Sequence, residues 1–429
     1  MLNLKKVEQA LFFLTLLLLP TQLGKHFWPE FSFIYSLKVD YLSPTLYFWD
    51  ILVMGLLTVW ILKRPKINWL AFNLLLLFSL TQAVSLTLAD NVGAGLVRLE
   101  QYLVAGFFGV YVASQTENLK LKTKNFRYSV LSLKSYWPLT LAVFFESVLA
   151  ILQFIKGGTI GLWILGERTF SLSTPGIAKF DFYGTEFLRP YATFPHPNVL
   201  AAFMVITLFI LSFLRRQESN NKLFYGSLIR SGMTRVAMFL AGLTTLVTFS
   251  RAAILAGAAT ALVLFNRRGR IILVAILIIL LPLLYTRYSS LLNFDNLTLL
   301  RREELSWSAL SIWQSSPIFG VGLNNFIPKA ADDLLAGPSR FLQPVHNIFL
   351  LALAETGILG LLGLLGLLGY PIWKQFPISN FQFPIIWGII LFLGLFDHYF
   401  LTLPQGQRML FLVWGISLSV LKFKDARSS

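Results

Sequence analysis

Cysteine is absent from this chain, and sequence patterns that bind metals are absent with it. Because there are 0 Cys among 429 residues, no disulfide framework and no thiolate metal site can form. The 4 His residues are not clustered, and neither an HExxH nor an Asp-rich DxD pattern occurs. The Gly-x-Ser-x-Gly pattern of serine hydrolases is missing too. The lack of cysteine is compatible with an oxidising compartment but does not require one.

Charged residues are scarce and long apolar runs are abundant. Hydrophobic residues make up 56% of the chain and charged residues 13%. Apolar runs of about 16 to 25 residues recur from end to end, which is typical of a polytopic membrane protein. We predict an all-α fold with about twelve transmembrane helices, in a single integral membrane domain over residues 1–429. The predicted spans are residues 7–23, 46–62, 69–89, 92–114, 130–155, 199–214, 236–249, 252–265, 271–286, 347–369, 383–400 and 404–421.

Acidic residues are the minority charge, 20 against 36 Lys and Arg, for a net charge of +16. The short loops on one side of the predicted layout hold most of the Lys and Arg and few acids. The positive-inside rule therefore places both termini in the cytoplasm. The basic excess orients the chain and indicates no nucleic-acid partner. Residues 7–23 resemble a signal peptide, but no small-residue cleavage site follows, so we expect an uncleaved helix.

The two longest outer loops are predicted at residues 156–198 and 287–345. The second loop precedes the tenth span and is expected to be partly helical. Residues 296–315 mix apolar and charged side chains in a way that suits a helix on the bilayer surface. Residues 317–322, PIFGVG, predict a tight glycine-containing turn without the spacing of a phosphate-binding loop. Glycines recur every three residues later in the chain, which predicts a close-packing helix face formed by Gly360, Gly363, Gly366 and Gly369.

Polar side chains gather where the predicted layout places the outer ends of the spans. Such groups cost several kcal/mol in a bilayer unless they are paired or face water, so the set predicts a functional site. The plain alternative is that each long basic side chain merely reaches the interface. The set comprises Asp50, Arg98, Arg189, His196, Arg251, His346, Asp397, His398 and Arg408.

His346 is the central candidate. Pro344 ends any helix before it, so His346 and Asn347 are predicted at the first turn of an apolar helix. Glu355 is expected roughly 13 Å further along, where it would support packing or a buried hydrogen bond. A histidine suits proton abstraction from a hydroxyl, and arginine forks suit a diphosphate. The plain interpretation of this stretch is that His346 only marks the membrane boundary.

Three stretches resemble the O-antigen ligase and polymerase superfamily of bacterial surface-polysaccharide enzymes. They are RPYATFPHPN at residues 189–198, TFSRAA at 248–253, and His346-Asn347 followed by ETG at 355–357. PIFGVG at 317–322 also resembles the turn of that family. The motif region spans residues 189–357, and the span layout extends the likeness over the chain.

The resemblance implies a metal-independent, GT-C-like glycosyltransferase of the cytoplasmic (inner) membrane, with its active site on the outer face and no cofactor. The donor would be a glycan on undecaprenyl diphosphate, and the acceptor either lipid A-core in ligases or another lipid-linked glycan in polymerases. The essential histidine of the family falls on His346, and its arginines on Arg189 and Arg251. Arg98 is added from topology alone, and His196 stands where family members vary. Asn347, Glu355, Asp397, His398 and Arg408 are expected to support the site.

A lipid-linked oligosaccharide or solute transporter is the alternative from another class. It would also bind an anion through arginines, although transporters usually do so between repeated spans near the membrane midplane. We find no internal repeat. The motifs do not distinguish a ligase from a polymerase.

Overall fold

The computed structural model of this protein describes residues 3–115, 133–182, 184–219, 228–264, 267–271, 274–275, 278, 297–334, 341–375 and 382–428. The chain forms two compact units. The first comprises Met1–Thr15, Gly24–Val130 and Leu297–Ser429. The second comprises Leu16–Leu23 and Leu131–Asn296. A single membrane domain over residues 1–429 stays a prediction.

Helices dominate both units, and strands occur only as short antiparallel pairs in the described part of the chain. Strand β1 (Gly24–His26) pairs with β4 (Thr45–Tyr47), β2 (Phe33–Ile34) with β3 (Leu37–Lys38), and β5 (Lys179–Phe182) with β6 (Thr185–Leu188). The helices are α1 (Leu4–Leu17), α2 (Phe48–Leu62), α3 (Trp69–Val84), α4 (Val92–Ser114), α5 (Leu133–Lys156), α6 (Pro197–Ser219), α7 (Leu228–Val247), α8 (Arg251–Leu264), α9 (Leu297–Ser315), α10 (Phe326–Ala330), α11 (Ile348–Gln375), α12 (Gln382–Phe396), α13 (Tyr399–Thr402) and α14 (Pro404–Ser428).

The all-α, multi-pass membrane character is confirmed. Among the described residues, 5 helices are long and apolar enough to cross a membrane: Trp69–Leu88, Val92–Ser114, Tyr136–Lys156, Pro197–Arg215 and Ile348–Lys374. Shorter apolar helices cover Phe48–Leu62, Gly232–Val247, Arg251–Val263 and Pro384–Phe396. The count of twelve spans stays a prediction, and the predicted ninth span, residues 271–286, lies largely outside the described residues.

Small residues let the helices of the first unit approach closely. A Cβ atom on Gly109 of α4 would lie 2.9 Å from the carbonyl oxygen of Phe411 in α14. Gly360 and Gly363 of α11 likewise lie against side chains of α3 and α11 itself. Among the described residues, a Cβ atom built on Gly366 or Gly369 would meet nothing within 4 Å, so close packing is seen only for the first half of the glycine series.

Helix α11 is broken, which corrects the prediction of one continuous span at residues 347–369. Gly357 has φ 63°, ψ −165°, outside the helical region. The PIFGVG turn fills the break: Ile358 N donates to Pro317 O at 2.9 Å and Leu359 N to Ile318 O at 3.1 Å. In return, the amides of Val321 and Gly322 donate to carbonyl oxygens of residues 354 and 355, at 3.1 and 2.8 Å. Backbone groups freed inside an apolar helix must find partners, and this turn supplies them.

Glycine is required where these two backbones meet. Gly357 and Gly320 both have positive φ, 63° and 67°. A Cβ atom at either position would collide with the opposing backbone, that of Ile318 or Glu355 respectively. The ETG and PIFGVG motifs are therefore two sides of one structure in the first unit.

The second unit contains α5 to α8 and a loop organised by one carboxylate. Glu167 accepts hydrogen bonds from the amides of residues 160, 161 and 162 at 2.7, 2.8 and 2.5 Å, and from Gln153 Nε2 at 2.8 Å. These bonds, which favour the charged form, hold the pKa of Glu167 below its usual value, although burial alone would raise it. The described residues of the predicted outer loop 156–198 thus have a defined structure that includes the β5–β6 hairpin.

Candidate active site

Two of the sequence motifs meet at Arg189 in the second unit. Arg189 Nε donates to the carbonyl oxygen of Thr248 at 2.7 Å. Its Nη2 donates to Asn198 Oδ1, also at 2.7 Å. Because both acceptors are uncharged, they orient the half-buried guanidinium without cancelling its charge. Residues 189–198 and 248–251, distant in sequence, therefore build one structure.

The backbone beside Arg189 is held in an unusual conformation in both motifs. Ala192 and Phe249 each have φ 50°, which side-chain-bearing residues rarely adopt. Gln153 Oε1 accepts from Ala192 N at 2.7 Å, and buried Glu146 accepts from the Thr193 hydroxyl at 2.7 Å. On the other side, the ring of Phe249 stacks on a ring of the β5–β6 hairpin at a centroid distance of 3.7 Å. These contacts hold Ala192 and Phe249 in a backbone conformation that would otherwise be costly.

Arg251 and His196 occupy helix starts in the same unit. Arg251 is the exposed first residue of α8, directly after the Phe249 turn. His196 precedes α6, and its carbonyl oxygen accepts from Val199 N at 3.1 Å while its Nδ1 accepts from Asn198 N at 3.1 Å. This position gives His196 a part in shaping the helix start that carries Asn198.

In the first unit the structure brings together two histidines and an aspartate. The rings of His346 and His398 lie 5.0 Å apart in an edge-on arrangement. Asp397 Oδ1 lies 3.9 Å from His398 Nε2, and one ligand-type atom of each of the three residues falls within 4.8 Å of the other two. The prediction that the histidines are not clustered is wrong for the fold: they are scattered in the sequence, but the fold brings His346 and His398 together. We call His346, Asp397 and His398 the histidine cluster.

His346 itself is half-buried and poorly satisfied. Within the part of the chain that the structure describes, its buried Nδ1 atom has no hydrogen-bond partner. Burial lowers the pKa of the imidazole; the carboxylate of Asp397 raises it, and the charge of Arg302 lowers it. Burial and Arg302 thus favour the neutral form, which is the form that can accept a proton. Arg302, in helix α9, was missed in the sequence because only the fold places its charge near His346.

Asn347 caps the helix that follows His346. Its Oδ1 accepts from Phe349 N at 2.9 Å and from Leu350 N at 3.1 Å, which satisfies amides at the start of α11. By capping the helix, Asn347 fixes the direction in which α11 leaves the loop, and so the position of the His346 imidazole.

Arg98 is buried inside the protein rather than presented at a surface. Its guanidinium, 1% exposed, donates to Leu401 O at 3.1 Å, Tyr41 O at 3.3 Å and Asn324 Oδ1 at 3.1 Å. Glu355 is buried nearby, and its Oε1 accepts from Phe326 N at 3.4 Å. Arg98 thus ties together segments around the PIFGVG turn. Diphosphate binding by Arg98 stays a prediction that this burial does not favour.

Buried Arg408 lies close to half-buried Asp50 in the first unit. Arg408 Nη2 lies 3.8 Å from Asp50 Oδ1, and its guanidinium carbon lies 4.5 Å from the ring centroid of Trp49 and 5.1 Å from that of Tyr47. Asp50 also accepts from the Tyr47 amide at 3.1 Å at the start of α2. This arrangement joins the starts of α2 and α14 and supports structure.

Comparison with known families agrees with the motifs from residue 248 onward, whereas residues 189–198 lie outside the matched region. Residues 236–365 match the family described as O-antigen ligase, a region that contains Arg251, His346, Asn347 and Glu355. No curated protein sequence matches the chain. The match confirms the resemblance to the O-antigen ligase superfamily and supports a membrane enzyme of surface-polysaccharide biosynthesis.

Proposed function

We propose that this O-antigen ligase-like membrane protein is a glycosyltransferase. It transfers a glycan from undecaprenyl diphosphate to a hydroxyl group of a lipid or glycan acceptor, on the outer face of the cytoplasmic (inner) membrane, with both termini cytoplasmic. The observation that carries the proposal is His346. This imidazole lies at the start of an apolar helix, its neutral form is favoured, and its buried Nδ1 has no partner among the described residues.

In the proposed reaction, His346 accepts the proton of the acceptor hydroxyl as that oxygen attacks the anomeric carbon of the donor. The bond from that carbon to the diphosphate oxygen breaks, and undecaprenyl diphosphate leaves with the electron pair. A single direct displacement inverts the configuration at the anomeric carbon and forms no glycosyl-enzyme intermediate. Asp397 stabilises the imidazolium that forms, because its carboxylate is close enough to favour the charged ring.

Arg189 and Arg251 are proposed to bind the diphosphate of the donor. Arg189 is oriented by two uncharged acceptors, and Arg251 follows the turn whose Thr248 carbonyl provides one of them. A guanidinium keeps its charge at any physiological pH and pairs with phosphate oxygens in a fork. Such groups stabilise the negative charge that grows on the leaving diphosphate.

The test is a transfer assay with purified protein, a glycan on undecaprenyl diphosphate and a matched acceptor, in the presence of a chelator. His346→Ala should reduce turnover about 10²–10⁴-fold, since that is the usual contribution of a general base. His26→Ala is the matched control, because His26 lies in strand β1, outside the histidine cluster, and its Nδ1 lies 2.9 Å from Ser43 Oγ. Retention of more than about a tenth of the turnover by His346→Ala would remove His346 as the base.

One observation favours the alternative of a transporter for a lipid-linked oligosaccharide or a solute. Helix α11 is discontinuous at Gly357, and discontinuous helices line the substrate sites of many transporters. Here, however, the PIFGVG turn already bonds the freed backbone groups. Reconstituted liposomes separate the two functions: movement of the donor lipid without a new glycosidic bond would support the transporter. Ligase and polymerase members differ in acceptor, so lipid A-core and a second lipid-linked glycan should be offered in parallel.

A further inference from the structure

The histidine cluster has the composition of a transition-metal site. Two imidazoles and one carboxylate are a common set of three protein ligands for Zn²⁺, which leaves a further position for water. In this cluster, one candidate ligand atom from each of the three residues lies within 4.8 Å of the others. Ligand atoms around one Zn²⁺ are about 3.3 Å apart. Side-chain rotations that move these three atoms by about 1 Å would bring them to that separation.

The hydrogen bonds of His398 aim the correct nitrogen at the cluster. Its Nδ1 lies 2.6 Å from Thr402 Oγ1. That hydroxyl donates its own hydrogen to the carbonyl oxygen of His398, at 3.1 Å. With that hydrogen on the carbonyl oxygen, the Thr402 oxygen accepts from Nδ1–H, and in this tautomer the lone pair of the ring is on Nε2, 3.9 Å from Asp397 Oδ1. A second-shell bond of this kind is what fixes a metal-binding histidine.

The other imidazole supplies an independent observation. Nδ1 of His346 is buried and has no hydrogen-bond partner in the described part of the chain. A buried nitrogen in that state calls for a water, an ion or a substrate group as partner. Arg302 is the nearby charge that opposes a cation, and the carboxylate of Asp397 offsets it.

We propose that the histidine cluster binds one Zn²⁺ ion through His346, His398 and Asp397, and that this binding inhibits the enzyme. Nitrogen ligands favour Zn²⁺, Ni²⁺ and Cu²⁺ over Mg²⁺ and Ca²⁺, which prefer oxygen alone. The inhibitory effect rests on the proposed function: an imidazole whose lone pair is bound to zinc cannot accept the proton of the acceptor hydroxyl. Free enzyme catalyses transfer, and the zinc-bound enzyme does not.

The test measures binding first, without substrate. Protein carrying no histidine tag is purified in detergent, treated with a chelator, and titrated with Zn²⁺ against a fluorescent zinc chelator, with Mg²⁺ in parallel. We expect one Zn²⁺ per chain and a higher melting temperature with Zn²⁺ alone, since a ligand that binds the folded state stabilises it. The chain suits the experiment because it has only 4 His residues and no Cys.

Matched variants locate the site. His398→Gln and Asp397→Asn keep side-chain size while removing a ligand, so each should weaken Zn²⁺ binding at least about tenfold. Thr402→Val removes the hydroxyl that bonds to His398 Nδ1 and to the His398 carbonyl oxygen but removes no ligand, so it should weaken binding by a smaller factor. His26→Ala and His196→Ala change histidines outside the cluster and should bind Zn²⁺ as the wild type does. Melting temperatures without metal show that each variant is folded.

Two results would overturn the inference: Zn²⁺ affinity unchanged in folded His398→Gln and Asp397→Asn, or equal effects of Zn²⁺ and Mg²⁺. Transfer assays then add Zn²⁺ and reverse it with chelator. If Zn²⁺ binds at the cluster but no transfer activity exists, the proposed function fails and the site stands. If transfer proceeds and Zn²⁺ does not bind, only the site fails.

Discussion

Arg98 and His346 are two buried polar groups of the same unit with opposite surroundings. The guanidinium of Arg98 donates to three acceptors of the protein, from residues 41, 324 and 401. The Nδ1 of His346 finds no partner among the described residues. Both groups are costly to bury, and only the first recovers that cost through the fold. The comparison supports a structural part for Arg98 and is compatible with the proposed role of His346 as the base.

Arg98→Leu should show the largest effect on stability. It removes three buried hydrogen bonds of a charged group, each worth about 1.5–3 kcal/mol, so the variant should lose about 3 kcal/mol or more. Tyr41 O and Leu401 O keep a second donor, and Asn324 Oδ1 loses its donor. The measurement is the thermal melting temperature in detergent. His346→Ala is the paired variant, and it should melt close to the wild type while losing turnover.

Arg98→Lys sharpens this contrast because it keeps the charge with fewer donors, so it should melt between Arg98→Leu and the wild type. If Arg98→Leu melts as the wild type does but loses transfer activity, Arg98 binds substrate and the comparison is wrong.

Arg189→Lys should show the next effect, on turnover rather than on folding. The side chain of Arg189 uses two nitrogens for Thr248 O and Asn198 Oδ1, and a single ammonium cannot hold both acceptors and a diphosphate. We expect a loss of about tenfold or more in kcat/KM for the lipid-diphosphate donor. Lys179→Arg, at a half-buried position of the β5–β6 hairpin that pairs with Glu186, is the control for a basic side chain in the same unit. Equal kcat/KM for wild type and Arg189→Lys would restrict Arg189 to orienting its two motifs.

The position of helix α4 could be predicted from the sequence because its causes are local. Helix α4 begins and ends at the predicted residues, Val92 and Ser114, since an apolar run follows Asn91, whose side chain caps the helix by accepting from Ala94 N. The break at Gly357 could not be predicted in this way. The backbone groups around it form hydrogen bonds with residues 317–322, about forty residues away in the chain, and a hydropathy pattern does not report such long-range bonds.

The candidate site likewise has residues that the sequence predicts and neighbours that it does not. His346 could be selected from its position after Pro344 and from the family resemblance, because both are features of one stretch. Its neighbours in space could not be predicted. Asp397 and His398 lie in the connection between α12 and α13, and their closeness to His346 depends on how the first unit packs. Arg98 and Arg408 group with the site by depth alone. Depth does not distinguish a substrate-binding arginine from one that bonds to carbonyl oxygens of the fold, as Arg98 does, or lies 3.8 Å from a carboxylate oxygen, as Arg408 does.

Glu167, unlike the Nδ1 of His346, is fully hydrogen-bonded, and its charge makes the stability of the fold depend on pH. Both carboxylate oxygens accept hydrogen bonds, from the amides of residues 160–162 and from Gln153. Its pKa is lowered in the folded protein, so the carboxylate contributes stability above the unfolded value near 4.5, and that contribution is lost as the pH falls through the folded pKa. Thermal melting of wild type and Glu167→Gln across acidic pH tests this. The two proteins should differ at neutral pH, by about 1–3 kcal/mol, and converge in acid. A difference that stays constant over the whole range would contradict the charge-based account.

Asn347→Ala should show the smallest effect, and it separates structure from chemistry next to His346. The Asn347 side chain accepts from the amides of Phe349 and Leu350, so its loss removes a helix cap and should cost about 1 kcal/mol. Asn347→Ser and Asn347→Asp supply another capping oxygen and should restore the melting temperature. If Asn347 acts only as a cap, these two variants should also restore turnover, because the imidazole is again held where α11 begins. If turnover stays low in Asn347→Ser while the melting temperature recovers, the amide contacts the acceptor or donor directly, and Asn347 belongs with His346 rather than with Arg98.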